Sequence, residues 1–262
     1  MTTPAANPLL AESGRNGRSA VALQTAGSDH PDSAADGLTI AGLTRLSTCD
    51  WPGRLVATVF LQGCPWRCTY CHNPALLDPT APGQIPWRQV RDLLDRRQGL
   101  LDGLVFSGGE PTRQPALAAA MREVRGLGFG VGLHTAGAYP ARLAELLPLV
   151  DWVGLDIKAL PEEYHRITGV GASGARSLSS LEFVVGSGVD HEVRITVDPT
   201  VHTVEHIAQL VELVDSVGAR RTVLQEARPA GARPEYATRL AGRRLGDVLA
   251  CPPQGVALRT AG

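Results

Sequence analysis

Cys64, Cys68 and Cys71 fall within eight residues and are spaced C-x3-C-x2-C. Thiolates are soft ligands that suit iron–sulfur clusters and zinc. A [4Fe–4S] cube has four irons, and four cysteines ordinarily hold it. A loop that supplies three leaves one iron without a protein ligand, open to a substrate or cofactor. The competing reading is a zinc site of three cysteines with His72 as fourth ligand. Against it, neighbours in sequence such as Cys71 and His72 seldom both reach one tetrahedral ion, and zinc fingers pair two separated half-sites. Cys49 and Cys251 stand apart from the loop, so one cluster is expected.

Other residues could work beside such a loop. Gly108-Gly109-Glu110 reads either as an ordinary strand-to-helix turn or as backbone brought close to a ligand, since glycine allows both. Asp156 and Lys158 stand two apart, so on a strand they share one face. Inside a barrel mouth their charges are costly unless paired or ligand-bound. Two motifs mislead. Gly169-Val170-Gly171-Ala172-Ser173-Gly174 fits G-x-G-x-x-G but follows a helical segment and not a strand, so a flexible interhelical loop accounts for it better than a dinucleotide site. His202-Thr203-Val204-Glu205-His206 fits H-x-x-E-H, the inverted zinc-protease signature. Thr203 is a good N-cap, however, which puts His202 ahead of the helix and off the face of His206.

Composition narrows the class. The net charge is −1, with Lys+Arg 25 against Asp+Glu 26, and no long same-sign run appears. A grip on nucleic acid needs a clustered basic footprint, so nucleic acid is not expected as a partner. Five cysteines, three of them clustered, do not form a secreted disulfide framework. No apolar stretch reaches the roughly 18 residues of a membrane span, and the N-terminus lacks a signal-peptide pattern. A cytoplasmic protein is expected.

The elements that must position these residues follow from pattern. Residues 1–37 carry few large apolar side chains and are expected to be a disordered tail. From residue 38 strands and helices alternate. Strands are expected over 55–61, 104–106, 129–133, 152–157, 192–197 and 222–225. Helices are expected from Pro86, over 115–125, 141–147, 162–167, 178–185 and 204–214. Such alternation argues for βαβ units and a parallel sheet, and six strands are fewer than the eight of a closed barrel. Residues 38–228 form the core domain in this reading, and 229–262 a C-terminal helix and loose tail. Ligands of parallel α/β folds bind outside the carboxyl ends of the strands. The cysteines, Gly108-Gly109-Glu110, Thr135 and Asp156-Lys158 all fall there.

The run Gly42-Leu43-Thr44-Arg45-Leu46-Ser47, then Asp50-Trp51-Pro52-Gly53-Arg54, Phe60-Leu61-Gln62-Gly63-Cys64 and Cys71-His72-Asn73-Pro74 resembles the start of a radical S-adenosylmethionine (SAM) enzyme. Ser107-Gly108-Gly109-Glu110-Pro111, Leu133-His134-Thr135-Ala136-Gly137 and residues 151–158 extend the likeness, which covers roughly 38–228. Within that superfamily the chain resembles the activating proteins of anaerobic ribonucleoside-triphosphate reductase, a group of glycyl-radical-enzyme activases. The resemblance implies a partial (β/α)6 barrel of mostly parallel strands and one [4Fe–4S] cluster on Cys64, Cys68 and Cys71. SAM would chelate the open iron, and its reductive cleavage would yield a 5′-deoxyadenosyl radical that takes hydrogen from the target. The implied SAM neighbours are Tyr70 at the adenine, Gly108, Gly109 and Glu110 at the amino group, and Asp156 and Lys158, with Thr135, Arg194 and His202 as further candidates. Ala136 stands where the family often has asparagine. The implied partners are a glycyl-radical enzyme, most simply an anaerobic ribonucleotide reductase, and a flavodoxin- or ferredoxin-type electron donor. A peptide must then enter an open barrel mouth. The alternatives are a radical SAM enzyme acting on a small molecule or another peptide, and a metal-binding module without turnover.

Overall fold

Six apolar, β-branched runs become six parallel strands, as the pattern predicts. The computed structural model describes residues 33–260. The strands are β1 (Ile40–Ser47), β2 (Val56–Leu61), β3 (Gly103–Gly108), β4 (Gly130–Thr135), β5 (Trp152–Asp156), β6 (Asp190–Val197), β7 (Thr222–Glu226) and β8 (Ala257–Arg259). They lie in sequence order in one sheet. β1 runs antiparallel to β2, and every later pair is parallel. The helices are α1 (Trp87–Asp95), α2 (Leu117–Gly126), α3 (Pro140–Leu146), α4 (Tyr164–Thr168), α5 (Ser173–Ser187), α6 (Val204–Val217), α7 (Pro234–Leu240) and α8 (Leu245–Val248).

Alternation along the strands sorts side chains into two layers. Ala57, Val59 and Leu61 of β2, Leu104 and Phe106 of β3, and Val193, Ile195 and Val197 of β6 belong to the main core with the helices. Residues of the opposite parity face the barrel interior. At its floor Val56, Val105 and Trp152 form a separate apolar cluster with Trp51. Trp51 belongs to the loop between β1 and β2, and its ring stacks on Trp152 at 5.8 Å and 17°. It fits because Gly132 is bare there; a Cβ would stand 3.0 Å from Trp51 Cε3. The loop therefore plugs the barrel from below.

The structure departs from the sequence expectations in four places. β1 and β8 extend the six expected strands to eight. β1 carries Gly42, Thr44 and Arg45 and two register shifts, so its alternation is broken. β8 lies within what the pattern leaves as loose tail. Ser33 caps a 3-10 turn over Ala34–Gly37 and Ala35 is buried, so order begins ahead of residue 38; the disorder expected for the rest of the tail concerns residues 1–32, outside the described residues. Finally, Gly169 ends α4 and Ser173-Gly174 already belong to α5, which reduces the expected flexible loop to a three-residue connection over 170–172. No helix among the described residues is long and apolar enough to cross a membrane.

Candidate active site

A cavity of about 450 Å³ opens at the carboxyl ends of the strands, and Cys64, Cys68 and Cys71 all line it. Tyr70, Gly108, Gly109, Thr135, Asp156, Lys158 and Arg194 line it too. Its size falls within the usual range for small-molecule pockets. Glu110 and His202 stand behind this wall.

The cysteine loop is pinned from both sides by backbone. Gly63 N–H donates to Leu76 O at 2.8 Å and Cys64 N–H to Leu77 O at 3.2 Å. Arg67 N–H reaches Thr168 O at 2.9 Å and Thr69 N–H reaches Ile167 O at 3.0 Å. The Gln62 amide adds bonds to Ala75 O and Asp78 O at 3.0 and 2.8 Å. Trp66 is buried against Tyr164, rings 5.7 Å apart and edge-on. Burial pushes the Cys64 thiol up to about 12 and raises that of Cys68 as well. Thiols so placed ionise when a metal takes the proton's place.

Gly108 and Gly109 press directly on that loop. Gly109 N–H donates to Leu61 O and Glu110 N–H to Gly63 O, both at 2.9 Å. Gly108 has φ of 118°, and a Cβ there would sit 2.3 Å from Leu61 N; one on Gly109 would sit 2.4 Å from Gly63 O. No larger residue fits either position. The pair thus sets the distance between the cavity wall and the cysteine loop.

Glu110 is fully buried and acts as a brace. Its Oε1 accepts from Thr112 N–H at 3.1 Å, Thr112 Oγ1 at 2.6 Å and Thr135 Oγ1 at 2.8 Å. Its Oε2 accepts from Ala136 N–H at 2.9 Å. Burial pushes this carboxyl up, while those donors pull it down. Two donors are backbone N–H groups, so the oxygens serve as acceptors. Thr135 in turn accepts from Gly137 N–H at 3.0 Å, which fixes the β4 end of the wall.

Across the cavity, Asp156 is held between two cations. Lys158 Nζ lies 3.1 Å from its Oδ2 and Arg194 Nε 3.2 Å from its Oδ1. In the register of β5 with β6, Asp156 pairs with Arg194. Burial opposes both charges of the lysine pair, yet Asp156 holds Lys158 above the usual lysine range, and the two cations hold Asp156 below the carboxylate range. The Lys158 ammonium also lies 5.6 Å over the Tyr70 ring, within cation–π reach.

His134 joins this network without having been singled out in the sequence. Its Nε2–H donates to Asp50 O at 2.6 Å and its Nδ1 lies 3.2 Å from Ser107 Oγ. Burial, then the Arg194 charge, pushes it down to about 3, so the ring is neutral. Register was the available signal: His134 pairs with Gly154, and Gly154 precedes Asp156 by one inward position. Cys49 lines the same cavity, though nothing in its spacing suggested it.

The histidines of the H-x-x-E-H match have separate tasks. His202 is buried, with Nε2 3.0 Å from Lys158 O and Nδ1 accepting Asp198 N–H at 3.0 Å. His206 completes the cap with Thr203 and lies 3.6 Å from Glu163. Among the described residues no three His, Cys, Asp or Glu side chains form a site for a single metal ion. His72 turns its Nε2 to Arg228 O at 3.2 Å, which weakens its case as a fourth zinc ligand. Two buried polar atoms at the cavity, Trp66 Nε1 and Tyr70 OH, have no hydrogen-bond partner. Three thiols, a charge network and donors without acceptors suit a cluster and a polar cofactor.

Comparison with known proteins agrees. The model of the radical SAM superfamily matches residues 58–216, more than half of the chain. The chain belongs to the radical SAM superfamily, whose enzymes use a [4Fe–4S] cluster and SAM. A Methanocaldococcus jannaschii protein named as a glycyl-radical enzyme activating enzyme is 30% identical over 183 residues, 67% of this chain and 75% of its own. The pyruvate formate-lyase-activating enzyme of Clostridium pasteurianum is 30% identical over 185 residues, 68% and 76% of the two chains. Within the superfamily, then, this is an enzyme of the glycyl-radical-enzyme activating family. In structure it is similar to Streptococcus suis SuiB bound to S-adenosylmethionine, with TM-score 0.56 and 15% identity over 77% of this chain and 48% of SuiB. The chain spans about half of SuiB, and that likeness concerns the fold.

Proposed function

We propose that the enzyme installs a glycyl radical on an anaerobic ribonucleoside-triphosphate reductase, by reductive cleavage of SAM in the cavity described above. The carrying observation is that the three thiols and the Lys158–Asp156–Arg194 network line one cavity. A cluster and SAM bound there would supply the radical chemistry that removes hydrogen from a glycine Cα. The residues of this chain bind, orient and exclude water. Cys64, Cys68 and Cys71 hold the cluster. Tyr70 offers a ring for the adenine, and the wall of Gly108 and Gly109 holds the amino group. Lys158 and Arg194 are two cations available to a carboxylate, with Asp156 between them fixing their positions. Thr135 lines the cavity and Glu110 holds it there. His202 acts one layer back, by holding the Lys158 carbonyl.

The reductase as partner rests on the motifs between residues 42 and 74; the pyruvate formate-lyase-activating relatives make that lyase the second candidate. Anaerobic incubation with SAM, a reductant and each candidate partner separates them by electron paramagnetic resonance. A glycyl doublet on the reductase is expected. A doublet on the lyase alone would reassign the partner, and none on either, with competent partners, would remove the activase reading. A flavodoxin- or ferredoxin-type protein would supply the electron, and the radical SAM core of residues 38–228 would carry the reaction.

A further inference from the structure

β8 is an element that the proposed chemistry does not use. It is three residues long and lies parallel on β7, with Val223 opposite Ala257, Leu224 opposite Leu258 and Gln225 opposite Arg259. Among the described residues no strand pairs with its outward edge, and Leu258 is 40% exposed. On the inward side one residue holds it. Arg259 donates to Gln225 Oε1 at 3.1 Å and to both oxygens of Glu192, at 3.0 and 3.3 Å. Glu192 is 1% exposed, and its other cationic partner, Arg221 at 3.2 Å, is itself half-exposed. A buried carboxylate is costly unless its oxygens are met by cations; Arg221 reaches Oε2 and Arg259 reaches Oε1, so this position favours a second positive charge from whatever strand lies on β7. Arg259 and Thr260 are also part of the wall of the cavity that holds the three thiols.

We propose that β8 is a displaceable stand-in for the partner's segment: an extended peptide takes its place parallel to β7 and sets an arginine or lysine on Glu192. This rests on the reading that a peptide of another protein enters the cavity. Strand addition at a sheet edge gives affinity through backbone bonds and specificity through alternate side chains. Here the alternate side chain is the second cation that Glu192 favours. The exchange costs little, because the incoming strand remakes the same ladder and the same ion pair. Until then, β8 covers the edge that would otherwise stand unpaired beside the cavity.

Hydrogen exchange on the intact, cluster-loaded protein gives the first test. Arg259→Gln should speed amide exchange of residues 257–260 about ten-fold while β2 to β6 keep their protection. The second test uses a labelled synthetic peptide with the sequence of residues 254–260. Full-length Arg259→Glu, whose own strand is repelled by Glu192, should bind it about ten-fold more tightly than the unaltered protein does. A peptide with glutamate in place of its arginine should lose that gain, and so should the double variant Glu192→Gln, Arg259→Glu. Unchanged exchange at 257–260, or equal binding of the two peptides, would overturn the proposal. Should Arg259→Glu fail to fold, the exchange result on Arg259→Gln decides. Neither readout involves a radical, so failure of the activase reading would show separately, as a missing glycyl doublet with β8 still exchangeable.

Discussion

The floor and the mouth of the barrel are built from the same strands and solve opposite problems. At the floor, Trp51, Val56, Val105 and Trp152 close the interior by packing alone. At the mouth, a few residues further along, the lining is thiols, an aspartate between two cations, and buried donors without acceptors. The floor can be judged by what it stabilises. The mouth carries groups whose burial costs free energy in the folded chain and is offset only by each other or by a ligand. Stability and chemistry are therefore separable along one barrel axis, and variants should affect one without the other.

The largest expected effect is at the mouth. Cys68→Ala should abolish retention of the cluster after anaerobic reconstitution and lower SAM cleavage at least about a thousand-fold. With parent and variant both free of cluster, its unfolding free energy should change by no more than about 1 kcal/mol. A variant that still cleaved SAM would break the comparison outright. Trp51→Ala is the converse. It removes a side chain only 8% exposed, and should cost about 3–5 kcal/mol in chemical denaturation. Iron content per folded molecule should stay the same.

Glu110 lies between the two regimes, since it braces the cavity wall without lining it. In Glu110→Gln an NH2 replaces one oxygen and must face a donor, Ala136 N–H or the Thr112 and Thr135 set. We expect a loss of about 1–3 kcal/mol, together with weaker SAM binding by equilibrium dialysis. Unaltered SAM affinity would make Glu110 a purely structural residue.

The smallest effect is the pH response of His134. Its folded pKa is depressed from 6.5 to about 3, so the unfolded chain takes up the proton first. Stability from this group is complete above pH 6.5 and falls as pH drops toward 3, by at most about 1.4 kcal/mol per pH unit. Between pH 7.5 and 6 the loss should stay under about 1 kcal/mol, and His134→Asn should flatten that part of the curve. Denaturation midpoints at several pH values measure it. A curve as steep in the variant as in the parent would assign the dependence elsewhere.

Much of the mouth was legible before the fold was known. The C-x3-C-x2-C loop, Gly108-Gly109-Glu110 and the Asp156-Lys158 pair are local in sequence, and the six apolar runs told which strand ends carry them. Glu110 shows where that legibility stops. Its motif was readable, but its buried carboxylate serves residues 112, 135 and 136, a role set by the neighbouring strand. His134 and Arg194 share an interior because β4, β5 and β6 fall in one register.

The amino-acid sequence alone determined the three-cysteine loop, the βαβ alternation and the rim on which the motifs gather, because each depends on spacing or periodicity within a few residues. Only the tertiary structure decided that Trp51 plugs the floor, that Glu110 braces and does not line the cavity, and that the last described residues return as a strand carrying Arg259 to Glu192. Those outcomes arise from pairing between segments far apart in the chain. Burial and compensation of charge act there on neighbours that no local pattern names.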